Sequence, residues 1–125
     1  MNKVEIDIHV ASLEEAQKFY CEELGLFGFY EDNGMGQISL AYKGNKSILL
    51  LLSEKIVEVV NKPVFRLEVE DCESFFNRVK SVQFATGGEL LSKEIFEYPL
   101  GKVLSLKDPS GNRFDIFEDY RSANT

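Results

Sequence analysis

Two segments carry ionisable groups at a spacing that suits chemistry. In residues 3–10, Glu5, Asp7 and His9 take alternate positions, and in residues 112–118 Arg113, Asp115 and Phe117 do the same. A period of two puts each set on one face of a strand. Val4, Ile6, Ile8 and Val10 fill the other face of the first, and Phe114 and Ile116 that of the second. Carboxylates gathered in one place bind a cation or ammonium group, or share a proton because like charges raise one pKa. The ordinary alternative is an ion pair with Arg66 or Arg113. His9 is the only histidine and suits a general base near neutral pH, although a lone histidine at a strand end is more often structural or solvated. Phe96 and Tyr98 precede Pro99 at a strand end and suit the wall or lid of a pocket, with core packing as the commoner role of such rings. Cys21 and Cys72 have no C-x-x-C spacing, so neither a zinc site nor a redox pair is indicated. Gly87-Gly88 leads into a strand and reads as a turn, not a phosphate loop.

These residues must be positioned by a regular succession of elements. Residues 3–10 read as a strand. Ser12 opens a helix, with Glu15 completing a capping box and Leu13, Ala16, Phe19, Tyr20 and Leu24 as its apolar stripe; Gly25 closes it. Strands are expected at 27–31, 37–42 and 47–52. The last is apolar on both faces and so should be covered on both. Residues 53–62 form a connector that suits a short helix, ended by Pro63. A second unit follows: a strand at 64–69, with Val64, Arg66 and Glu68 opposite Phe65, Leu67 and Val69; a helix capped by Asp71 and striped by Cys72, Phe75, Phe76 and Val79; then strands at 89–96, 102–107 and 112–118. Asp108-Pro109-Ser110-Gly111 suits a type I turn before the last strand. Residues 121–125 read as a loose tail.

The order strand, helix, three strands occurs twice. Val10-Ala11-Ser12-Leu13-Glu14-Glu15 aligns with Val69-Glu70-Asp71-Cys72-Glu73-Ser74, a strand's last core residue standing two positions before a helix cap each time. Equal order and similar length favour a duplicated module. The chain reads as one domain over 1–125: module one at about 1–53, a connector at about 54–62 and module two at about 63–119.

Composition narrows the classes of function. A net charge of −7 argues against nucleic acid, whose phosphates require a basic surface. No apolar run approaches the ~20 residues of a membrane span, and the start lacks a signal peptide's apolar core, so a cytoplasmic protein with free thiols is expected. Hydrophobic residues make up 44% and aromatics 12% of the chain, with ten Phe and no Trp, so the core should rest on rings that need no polar partner.

Two motifs give the chain a family resemblance. One runs from Val10 to Tyr20, with its Phe19-Tyr20 pair, and on to Leu24-Gly25-Leu26. The other is Asp108-Pro109-Ser110-Gly111-Asn112 leading into Phe114-Asp115-Ile116. With the repeat, they make the chain resemble the vicinal oxygen chelate superfamily: glyoxalase I, extradiol dioxygenases, fosfomycin-resistance enzymes and bleomycin-binding proteins. The resemblance implies an α+β fold of two tandem βαβββ modules forming a curved, half-open mixed-sheet barrel around a cavity, often in a homodimer. It also implies four inward metal-ligand positions. By pattern these fall on Glu5, near Leu50 (Leu49 or Leu51 if the register slips), on Val64 and on Asp115. Two of the four carry carboxylates and two are aliphatic, so Glu5 and Asp115 alone would hold a divalent metal weakly.

Three functions follow as expectations. The first is a metal-free binding domain, with no cofactor, for a small cationic or aromatic molecule. Its cavity would draw on Glu5, Asp7, His9, Leu50, Val64, Arg66, Phe96, Tyr98, Arg113, Asp115 and Phe117. The second is a metal-dependent lyase, isomerase or dioxygenase, in which a divalent metal polarises vicinal oxygens. The third is a metal-free enzyme that moves protons through His9 or a Glu5/Asp115 pair.

Overall fold

The computed structural model describes residues 2–58 and 60–124, with only the backbone of Ala123 and Asn124. Val59 of the connector and Thr125 of the tail lie outside the described residues. Strand β1 (Val4–Val10) forms as its alternation requires: Ile8 and Val10 are buried, and Glu5, Asp7 and His9 are exposed. Ser12 caps α1 (Leu13–Gln17), its Oγ accepting the Glu15 N–H at 3.2 Å. The helix does not continue as a regular α-helix. It widens into a π-helical segment, Lys18–Glu23, closed by the Leu24 N–H on the Phe19 carbonyl at 2.9 Å. Neighbouring side chains on an ordinary helix diverge by ~100°, yet Phe19 and Tyr20 are both fully buried. Gly25 ends the segment at φ 67°, the left-handed conformation expected of it.

Strands β2 (Phe27–Gly34), β3 (Gln37–Tyr42) and β4 (Asn45–Glu54) complete the first module. Met35 and Gly36, at φ 55° and 77°, form the two-residue turn between β2 and β3, with both residues at positive φ as type I′ geometry demands. The sheet order is β1-β4-β3-β2, with β1 parallel to β4. The second module repeats this plan with β5 (Arg66–Glu68), α2 (Cys72–Val79), β6 (Glu89–Leu90), β7 (Phe96–Tyr98), β8 (Gly101–Lys107) and β9 (Arg113–Asp119). Its order is β5-β9-β8-β6, β7 also pairing with β8, and β5 runs parallel to β9. The fold is therefore α+β, with two βαβββ-like mixed sheets.

Three local expectations are corrected. The strand expected over 89–96 is split into β6 and β7. The N–H groups of Leu91 and Ser92 both approach the Ser105 carbonyl, at 2.9 and 3.3 Å, so two residues oppose one and the strand bulges. The described part of the connector after β4 contains no helix, and its Ile56 and Val60 are exposed. The tail is not wholly loose, since Tyr120–Asn124 form a 3-10 turn.

The two sheets share one core. Ile8, Val10, Leu40, Leu50 and Leu52 of the first meet Leu67, Leu104, Leu106, Phe114 and Ile116 of the second, together with Phe19, Tyr20, Cys72, Phe75 and Val79 from the helical segments. The first helical segment bridges the sheets. The Tyr20 ring lies 5.8 Å from Phe27 of its own sheet and 5.6 Å from Phe114 of the other, and Phe114 stacks on Phe65 at 4.8 Å. Because each strand's apolar side faces this core, the opposite sides of both sheets face away from it.

One buried carboxylate sets that arrangement. Asp108 is 1% exposed. Its Oδ1 accepts the N–H groups of Ser110 and Asn112, and its Oδ2 accepts the Tyr20 hydroxyl at 2.9 Å and the Asn112 side-chain amide at 3.0 Å. The same amide donates to the His9 carbonyl at 2.8 Å, and the Ser110 hydroxyl accepts the Ala11 N–H. The turn before β9 is thus fastened to the helical segment and to the end of β1. Burial pushes the Asp108 carboxyl above its usual range, against the pull of these donors. Burial, then the Asp108 charge, holds the Tyr20 hydroxyl well above the usual tyrosine value.

Replacing Asp108 with Ala leaves several buried donors without an acceptor. A loss of about 3 kcal/mol is expected, seen as a fall of roughly 10 °C in Tm. A second expectation concerns alkaline pH. Above pH ~10 an unfolded chain releases the Tyr20 proton that the folded chain retains, so stability falls as pH rises. Denaturant midpoints measured from pH 9 to 11 should decline, and decline less steeply in Tyr20→Phe.

Candidate functional site

The side of the second sheet turned from the core carries the densest set of chemical groups. Arg66 of β5, Asp115 of β9 and Ser105 of β8 lie in one row across three strands. Asp115 is only 7% exposed although it faces away from the core. Its Oδ1 accepts the Ser105 hydroxyl at 2.7 Å, and the Arg66 and Arg113 guanidiniums flank it, each with a nitrogen 3.7 Å away. Arg113 also donates to Ser105 Oγ at 3.3 Å. The Arg113 Nε is buried and has no hydrogen-bond partner. One row along, Phe117, Val103 and Phe96 align across β9, β8 and β7. The Arg66 guanidinium sits 5.1 Å from the Phe117 ring centre, and Tyr98 stacks beside Phe96 at 6.2 Å. Phe96 is 64% exposed.

The first sheet presents a different surface. Glu5, Asp7 and His9 share the outward face of β1, opposite Leu49, Leu51 and Ser53 of β4. All three are exposed. Lys3, on the same side of β1, donates to the Tyr30 hydroxyl at 2.8 Å, and the His9 carbonyl accepts the Asn112 side-chain amide. No hydrogen bond or ion pair joins Glu5 to Asp115, which lie on different sheets.

The expected metal positions do not assemble a donor set. Leu50 is a core residue and fully buried. The residue beside Glu5 is Leu49, so the register slips by one and the position remains aliphatic. Val64 lies on the same side as Arg66 and contributes its N–H to the Arg113 carbonyl. Asp115 is engaged by two arginines. Among the described residues, no group of three or more His, Cys, Asp or Glu side chains is placed to hold a metal ion. The superfamily's divalent metal does not fit the residues present.

A cavity of about 570 Å³ lies elsewhere, at the seam between the modules, lined by Tyr42, Ile48, Glu68, Glu70, Glu118 and Asp119 among others. None of the candidate site residues read from the sequence lines it. Most of its acids are already engaged: Glu68 accepts the Ser122 hydroxyl, Glu118 the Cys72 N–H, and Asp119 pairs with Arg121. Sequence reasoning missed this seam, which depends on how the modules pack. It also missed Ser105, although the turn at 108–111 sets the hairpin register and places Ser105 opposite Asp115.

At the level of sequence, no family model and no curated protein matches the chain. Its fold is that of the glyoxalase/bleomycin resistance protein/dioxygenase proteins, the vicinal oxygen chelate superfamily, whose solved structures align with it over nearly its full length. A superfamily member from Sphaerobacter thermophilus DSM 20745 matches with TM-score 0.74 and 18% identity, over 95% of this chain and 98% of that one. UcmS2 matches with TM-score 0.73 and 20% identity, over 94% and 97%. TnmS3, an antibiotic binding protein from Streptomyces sp. CB03234, matches with TM-score 0.68 and 21% identity, over 95% and 96%. No helix among the described residues is long and apolar enough to cross a membrane.

Neither thiol is poised as a nucleophile. Burial pushes both Cys21 and Cys72 up to about 11, so both stay protonated near neutral pH. A disulfide reagent at pH 7.5 should label the native protein slowly and titrate two thiols only after denaturation.

Proposed function

We propose that this protein binds a small molecule on the outward sheet faces and does so without the superfamily's metal. The observation that carries this reading is the second sheet's outer face, where two arginines and a serine flank Asp115 and a row with Phe117 and the exposed Phe96 lies beside them. Aliphatic residues at two expected ligand positions support binding over metal-assisted catalysis. Proteins that share the fold include one described as antibiotic binding, which supports a ligand of that general size. The outward faces are open in a single chain, and a homodimer that turns one chain's face toward its partner's would enclose them. A cytoplasmic location remains the companion proposal.

The test is a thermal-shift screen of small aromatic acids and amines in the presence of a chelator. A bound ligand raises Tm by mass action, and light scattering on the same sample reads the oligomeric state. The reading predicts a saturable shift that persists with chelator, from a dimer. Shifts that vanish with chelator and return on adding nickel, zinc, iron or manganese would contradict it.

A further inference from the structure

We infer that the ligand is an aromatic carboxylate, held with its anionic group at Arg66, Arg113 and Ser105 and its ring on the Phe117–Phe96 row. This deepens the binding role proposed above and rests on it.

The charge balance of the row comes first. Two guanidiniums face one carboxylate, and Asp115 is too buried to be reached from solvent as a binding group. The site therefore presents the arginines, with Asp115 behind them as the group that holds them in place. Both ion pairs are long, at 3.7 Å, beyond hydrogen-bond range. Asp115 thus leaves most guanidinium N–H groups free of hydrogen bonds. A guanidinium has five such donors in a planar fork. Arg66 makes no hydrogen bond through its guanidinium among the described residues, and the Arg113 Nε is buried without a partner. A planar oxyanion matches these donors, and a carboxylate matches them two at a time. Other charges share this face: Lys107 opposite Arg113 with Glu89 beyond it, Glu68 beside Phe117 at the β5 end of the next row, where it accepts the Ser122 hydroxyl, and Asp119 one row further, paired with Arg121. In a chain of net charge −7, a pair of under-used arginines at one spot needs a reason.

The neighbouring row supplies the second half of the ligand. Phe117, Val103 and Phe96 form a flat apolar strip directly beside Arg66, Asp115 and Ser105. Adjacent same-face rows are ~7 Å apart, the scale of one aromatic ring beyond a carboxylate. Arg66 already lies over Phe117, so a ring placed on the strip would meet both an aromatic face and the edge of a cation. An aromatic amine would have the same apolar contact but would place its charge against two guanidiniums. The acidic face of the first sheet, at Glu5 and Asp7, has Leu49 and Leu51 beside it, and the Tyr30 ring of that sheet is taken up by Lys3.

The experiment is equilibrium titration of the full chain with 2-naphthoate and, separately, with 2-naphthylmethylammonium, followed by naphthyl fluorescence. The inference predicts saturable binding of the acid and at least tenfold weaker binding of the amine. Arg66→Gln and Arg113→Gln should each raise the Kd for the acid about tenfold or more, and Phe117→Leu should weaken it with the charge set intact. Circular dichroism confirms that these surface variants stay folded, and Lys93→Gln serves as a charge-matched control with unchanged affinity. Equal affinity of wild type and both arginine variants for the acid would overturn the inference. Saturable binding of the amine but not the acid would overturn it while leaving the binding role standing. Binding of neither probe, with no hit in the wider screen, would remove both.

Discussion

The structure depends on a single buried carboxylate. Asp108 gathers the Tyr20 hydroxyl, the Asn112 amide and two backbone N–H groups, and Asn112 and Ser110 carry the connection on to the end of β1. A carboxylate taken out of water is costly unless its lone pairs are met. Here they are met by groups from two segments 88 residues apart in the chain. The bond holds the helical segment between the sheets at the point where Tyr20 meets Phe27 on one side and Phe114 on the other. It also fixes the start of β9, and so the register that puts Asp115 opposite Ser105 and beside Arg66.

That constraint links folding to the candidate site. With Phe114 and Ile116 committed to the core, alternation sends Arg113, Asp115 and Phe117 to the other face. The same rule sends Glu5, Asp7 and His9 outward from the first sheet. The two polar faces differ in kind. One is acidic and aliphatic. The other combines guanidiniums and a hydroxyl around a buried acid, with a row of partly buried and exposed rings beside them. The groups with unspent capacity are the arginines.

Much of this was legible in the sequence. Strict alternation in β1 and β9, the Ser12 and Asp71 caps and the left-handed Gly25 carry their physical reasons locally, and the duplicated order of elements gives the architecture. The motifs containing Phe19-Tyr20 and Asp108–Asn112 were visible as patterns, but the bond that joins them was not, since nothing local to either says that they meet. The π-helical turn escaped because a 3.6 period fits the same apolar residues. The bulge between β6 and β7 escaped because it needs the Ser105 carbonyl as its partner. The second ligand position stays open between Leu49, Leu50 and Leu51 because in a run of leucines both faces look alike; in the structure Leu50 is in the core and Leu49 stands beside Glu5. For Asp115 the sequence leaves open a cation or an ion pair with Arg66 or Arg113, and the structure shows both ion pairs.

Mapping amide chemical-shift changes by NMR on a bound aromatic acid tests the central claim most directly, because it locates the ligand without presuming its site. The account predicts changes centred on Arg66, Val103, Ser105 and Asp115 to Phe117, with the seam between the modules undisturbed. Changes confined to Tyr42, Glu68, Glu70 and Ser122 would place the ligand in the seam cavity and contradict it.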